Sequence, residues 1–136
     1  MDDIAASREI AVRLVRTAER LKADFAEAVV PFGLSVPAAR ALLLMDEPIP
    51  MRVLSDRLAC DQSYITRIAD ELETHGLIQR TTGADRRVQL LQLTPGGVRM
   101  RGSVFEAVAA TNRVALRLSA ADRSALDRAL ELLLPE

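Results

Sequence analysis

The side chains with the most evident chemistry lie in two short runs. Residues 62–67 read Gln62-Ser63-Tyr64-Ile65-Thr66-Arg67, and residues 85–87 read Asp85-Arg86-Arg87. Both are rich in hydrogen-bonding groups and poor in reactive ones. Arginine carries a planar fork of N–H donors that matches phosphate or the edge of guanine. Arg67 therefore suits a bidentate contact to guanine, and Tyr64 or Thr66 suits a thymine methyl or a phosphate. The chemistry indicated is recognition of a patterned polyanion.

Bond-breaking chemistry lacks its parts. The chain has one histidine, His75, and one cysteine, Cys60. If 61–75 is one helix, its ends lie ~20 Å apart, so no Cys–His dyad forms within one chain. No glycine-rich phosphate loop follows a strand, and no His/Cys cluster offers metal ligands. No catalytic residue, cofactor or metal is expected. His75 reads as a surface residue near a helix C-terminus, and a single cysteine makes no internal disulfide, which suits a reducing cytoplasm.

The 136 residues fit one domain, and 49% hydrophobic residues supply a core of mostly Leu, Ala, Val and Ile, suited to helix packing. No run approaches the ~20 uncharged apolar residues of a membrane span, and the acidic start Met1-Asp2-Asp3 is not a secretory signal. The net charge of −1 excludes a protein that coats nucleic acid through bulk positive charge. Any nucleic-acid contact must come from local asymmetry. Lys22 is the only lysine among 18 basic residues, although a GC-rich genome accounts equally well for abundant arginine.

The elements that must position the two runs follow from periodicity. Ile10, Leu14, Ala18, Leu21, Phe25 and Ala28 or Val29 recur at helical spacing, predicting a helix from about Asp3 to Val30, ended by Pro31 and Gly33. Ser35 caps a second helix through about Met45, with Pro37 in its first turn. Residues 46–50 form a short connection to a third helix, Met51 to Ala59. A fourth runs from Asp61 or Gln62 to His75, with Gly76 just past its end. Residues 77–81 and 88–93 read as strands around a polar tip, a β-hairpin. Thr94-Pro95 opens a helix to about Leu118, weakened by Gly96, Gly97 and Gly102, and Ser119 to Asp122 form a capping-box variant ahead of the last helix.

Val53, Leu54 and Leu58 are the apolar positions of the third helix; Ile65, Ile68, Ala69 and Leu72 are the stripe of the fourth. Two short helices joined by Ala59-Cys60-Asp61 must cross steeply and share one small core, a helix-turn-helix. Gln62, Ser63, Tyr64, Thr66, Arg67 and Asp70 then face away from that core, while Asp61 reads equally as a plain N-cap and Glu71 and Glu73 as a solvated face. A recognition helix reads base edges from its first turns. Arg86 and Arg87, at the hairpin tip, form a basic prong suited to a narrow minor groove, with Asp85 steering one guanidinium.

Residues 59–68 and 71–80, with Asp85-Arg86-Arg87, Leu93-Thr94-Pro95-Gly96-Gly97 and the stretch Leu34 to Leu43, resemble the MarR (multiple antibiotic resistance regulator) family over essentially the whole chain. The resemblance implies a mainly α fold with a small β-hairpin wing: a winged helix-turn-helix with N- and C-terminal dimerisation helices. It divides one domain, 1–136, into a DNA-binding lobe at 35–94 and a helical dimerisation region at 1–34 and 95–136. It implies a cytoplasmic homodimer that binds a palindromic double-stranded DNA operator, a ligand-responsive repressor released by a small lipophilic or phenolic effector. Its site residues are Gln62, Ser63, Tyr64, Thr66, Arg67, Asp85, Arg86 and Arg87. The first and third helices and the start of the fifth are expected to line any pocket. Cys60 stands where the family more often has a small residue such as Gly, and oxidation-sensing relatives carry their cysteine in the first helix, so Cys60 reads as packing.

The competing function is a winged-helix protein-interaction module without specific DNA binding. The modest charge of residues 52–101, eight arginines against six acids, favours it; the clustering of Arg67, Arg86 and Arg87 favours DNA.

Overall fold

The computed structural model describes residues 2–112 and 116–134. Helix α1 spans Asp2–Val29 and passes into a 3₁₀ turn, Val30–Phe32, which Gly33 closes in the left-handed region at φ 67°. Helices α2 (Val36–Leu43), α3 (Met51–Arg57) and α4 (Gln62–Thr74) follow, then strands β2 (Ile78–Thr82) and β3 (Gln89–Leu93), and helices α5 (Pro95–Thr111) and α6 (Ala120–Leu133). The expected run of the fifth helix through 113–115, and the ends Met1 and 135–136 of the expected domain, lie outside the described residues.

Strand β1, Ile49–Pro50, lies inside the segment expected to be a plain connection. It pairs antiparallel with β3, Ile49 opposite Leu91 and Pro50 opposite Leu90, giving the order β1-β3-β2. Two residues carry no period, and proline is accepted in a sheet only at an edge, where its missing N–H costs no ladder bond.

Caps follow the sequence signals. Ser35 accepts the Ala38 N–H at 3.2 Å, and Ser119 accepts that of Asp122 at 3.1 Å. The Asp122 carboxylate answers by accepting the Ser119 hydroxyl at 2.8 Å. Gly76, at φ 70°, ends α4 in a Schellman closure, with the Leu77 N–H reaching the Leu72 carbonyl at 2.9 Å.

One core joins the lobe: Leu42, Met45, Leu54, Ile65, Leu72, Leu91 and Val104 are among its largest fully buried side chains. Val53, expected to pack inside α3, is exposed, and Met51 and Ser55 are buried in that helix with Leu54. The apolar positions of α1 pack only near its C-terminal end, where Phe25, Ala28 and Val29 meet the core. Ile4, Ile10, Leu14 and Val15 are exposed, and α6 buries no residue although Leu126, Leu130 and Leu133 follow its helical spacing.

Candidate nucleic-acid interface

The turn between α3 and α4 sets the angle of the second helix. Ala59 takes φ 51°, a left-handed conformation that costs a non-glycine residue ~1–2 kcal/mol. Its N–H reaches the Asp56 carbonyl at 3.1 Å, and the Cys60 N–H reaches the Ser55 carbonyl at 3.1 Å. The position where glycine relieves the backbone is therefore Ala59, and Cys60 is a half-buried thiol packed against the core.

Asp61 caps α4. Its carboxylate accepts the Tyr64 N–H at 2.8 Å and the Ser63 hydroxyl at 2.9 Å. The backbone hydrogen bond from Tyr64, then the hydroxyl bond from Ser63, holds its carboxyl below the usual range. On the helix that follows, Ile65, Ile68, Ala69 and Leu72 are buried, and Gln62, Ser63, Tyr64 and Arg67 are exposed. The Arg67 guanidinium lies over the Tyr64 ring, 5.5 Å from its centroid, a stack that orders the arginine while leaving its edge donors to a ligand. Thr66 is half-buried, and its hydroxyl donates to the Gln62 carbonyl at 2.8 Å. Of the expected site residues on α4, Ser63 and Thr66 thus have their hydroxyl donors occupied, leaving the Thr66 methyl and the lone pairs of both for a contact.

The wing tip, residues 83–88, is closed by the Gly83 N–H on the Val88 carbonyl at 3.0 Å and the Val88 N–H on the Asp85 carbonyl at 2.9 Å. The expectation that Asp85 steers a guanidinium is corrected. Its carboxylate instead accepts the backbone N–H of Arg87 at 3.0 Å, because the tight turn brings that donor closer than a flexible side chain. Arg86 and Arg87 are exposed, and among the described residues neither they nor Arg67 has an ion-pair partner.

The acids of α4, expected to form a solvated face, hold the lobe together. Arg80 of β2 pairs with Asp70 and, at 3.2 Å, with Glu73, fastening the wing to α4. Glu71 accepts the Ser35 N–H at 2.9 Å and the Ser35 hydroxyl at 2.7 Å, fastening α4 to the start of α2. The Thr94 hydroxyl donates to the Gly76 carbonyl at 2.6 Å and accepts the Gly97 N–H at 3.0 Å, tying α5 to the end of α4. The sequence marked Thr94 as the cap of the fifth helix, whereas the clamping roles of Arg80, Asp70, Glu71 and Glu73 carried no local signal. Five of the six acids in 52–101 have such local partners, which is how a modest net charge coexists with unpaired arginines on the exposed face.

Hollows suited to an organic ligand flank α1. One of about 380 Å³ is lined by Leu21, Lys22, Phe25, Val36 and Arg40, and one of about 150 Å³ by Leu21, Asp24, Phe25, Val108, Thr111 and Asn112. The helices that line these two hollows are α1, α2 and the far half of α5. Helix α3 packs on α4 and the sheet.

An exposed helix after a tight turn, with a basic-tipped hairpin clamped to it, defines a winged helix-turn-helix protein. The sequence model of the MarR family matches residues 41–88, from α2 to the wing tip. Beyond that segment, the chain is similar to a MarR-family transcriptional regulator from Rhodococcus sp. RHA1, with 27% identity, 93% of each chain covered and a TM-score of 0.82. It is also similar to CouR from Rhodococcus jostii RHA1, solved bound to p-coumaroyl-CoA, with 26% identity, coverage of 91% and 90%, and a TM-score of 0.79. BldR from Sulfolobus solfataricus shares the fold at 23% identity, with 98% of each chain covered and a TM-score of 0.82. No curated protein matches the chain. Residues 41–88 thus resemble the MarR family in sequence, and the chain as a whole shares the winged helix-turn-helix fold of MarR-family transcriptional regulators.

Proposed function

We propose that the chain is a homodimeric repressor that binds a two-fold symmetric operator and releases it on binding a small organic effector. The observation that carries this reading is the exposed face of α4, where Gln62, Ser63, Tyr64 and Arg67 stand over a buried stripe, next to a wing whose two arginines are unpaired. Helix α4 enters the major groove, with Arg67 on guanine and Thr66 or Tyr64 on a thymine methyl or phosphate. The Asp85-closed tip lays Arg86 and Arg87 in the adjoining minor groove. The Arg80 clamp makes helix and wing one rigid reading head.

Exposed apolar positions on α1 and α6 support dimerisation, since contiguous apolar surface marks an interface. A two-fold dimer then presents two reading heads about 10–10.5 bp apart, on one side of the duplex. Hollows beside α1 support effector binding where the dimer-forming helices meet the reading lobe, so occupancy changes the separation of the heads and hence affinity. The test is an operator in which about 5 bp, half a helical turn, is inserted between half-sites. Loss of tight binding on insertion, with recovery at a full turn, supports the dimeric reading; indifference to the insert refutes it.

A further inference from the structure

The smaller hollow, between α1 and the far half of α5, contains a chemical mismatch. Its walls are Leu21, Phe25 and Val108, with Thr111 and Asn112 at the α5 end, and one carboxylate, Asp24, among them. Asp24 is only 9% exposed, and its Oδ2 is fully covered and, among the described residues, has no hydrogen-bond partner. Its Oδ1 faces the Arg20 Nε at 3.4 Å, longer than a charge-assisted hydrogen bond. The Arg20 side chain is 57% exposed, so it rests on the carboxylate from solvent and can leave at little cost. Among the described residues the buried carboxylate therefore has one weak partner, which a closer cationic donor can replace.

The geometry points to this hollow as a binding site for a small organic cation, a protonated amine on an apolar body about the size of one ring. A cavity of about 150 Å³ accepts a six-membered ring. The ammonium displaces Arg20 and donates to the Asp24 carboxylate. The Phe25 ring and the Leu21 and Val108 side chains take the apolar body, and an aromatic face also favours a cation beside it. The Thr111 hydroxyl, donating to the Ala107 and Val108 carbonyls at 3.1 Å each, has lone pairs left to accept a further ammonium hydrogen. The same carboxylate repels phenolate and carboxylate ligands, so the hollow selects against the anionic chemistry that the basic rim of the Lys22–Arg40 groove favours. As an effector site, it rests on the ligand-responsive reading above; as a binding site, it does not.

The experiment is calorimetric titration of the full chain, without DNA, with benzylamine, benzyl alcohol and benzoate as probes of one size and three charges. Saturable binding of benzylamine alone is expected, weakened about tenfold or more by Asp24→Asn. Arg20→Ala, which removes the competing cation, is expected to tighten it. Absence of saturable benzylamine binding, equal binding of the alcohol, or undiminished binding in Asp24→Asn overturns the assignment and leaves the hollow to water. These outcomes do not depend on DNA binding, so the cavity and the regulator readings fail separately. Fluorescence anisotropy of selected operator DNA with added benzylamine then reads the effector role: lowered affinity in the wild type but not in Asp24→Asn supports it, and unchanged affinity refutes it.

Discussion

Gly97 offers a case in which local propensity and packing predict opposite signs. It lies in the first turn of α5, where replacing glycine by alanine ordinarily stabilises a helix by about 0.5–1 kcal/mol. A Cβ at Gly97 meets the Leu77 carbonyl oxygen at 2.0 Å, its carbon at 3.0 Å and the Leu93 Cβ at 3.3 Å. That oxygen is fixed, since it accepts the Thr94 N–H at 3.0 Å. Backbone must therefore move. Overpacking of this kind costs ~1–3 kcal/mol, and losing the Thr94–Leu77 bond adds ~1 kcal/mol. After subtracting the helix gain, Gly97→Ala destabilises by about 1–3.5 kcal/mol. Gly102 is the control, a glycine of the same helix around which a methyl group would meet no atom within 4 Å, so Gly102→Ala stabilises by about 0.5–1 kcal/mol. Urea unfolding of both variants at one protomer concentration reads the difference as a shift in midpoint. A Gly97→Ala protein as stable as the wild type refutes the close approach of α5 to the α4–β2 junction.

Arg67→Ala is expected to relax base preference at one position per half-site, at ~1–3 kcal/mol, read by competition with single-base operator variants. Replacing Arg86 and Arg87 together weakens binding to all sequences alike and flattens the salt dependence, measured by anisotropy titrations across a salt series. Asp61 has a folded-state carboxyl below its usual range, so its contribution to stability is present above about pH 4 and is lost as pH falls through the lowered value. Thermal unfolding of the wild type against Asp61→Asn is expected to show a gap at neutral pH that narrows under acid; a constant gap refutes the capping account.

The exposed face of α4 and the hairpin were legible because their two signals are local. A buried stripe at Ile65, Ile68, Ala69 and Leu72 fixes which face of α4 looks outward, and the turn residues around Gly83 fix the hairpin. What the sequence did not reveal depends on contacts between distant segments. Arg80 meets Asp70 and Glu73 only because β2 folds back along α4, and Glu71 reaches Ser35 across 36 positions. Strand β1 is too short to carry a period, and its identity depends on Leu91 beside it. Val53 shows the limit of apolar spacing in a seven-residue helix, where either of two faces satisfies the pattern. On α1 the helical spacing holds, yet the single chain buries only the last turns.

The most direct measurement is selection of bound duplexes from a random-sequence library at two salt concentrations, with the Arg86→Ala/Arg87→Ala protein alongside. The account predicts enrichment of one two-fold symmetric sequence, with weaker recovery at higher salt and weaker recovery by the double variant. No enriched sequence, or equal recovery by both proteins, contradicts it and returns the winged helix to a role in protein binding.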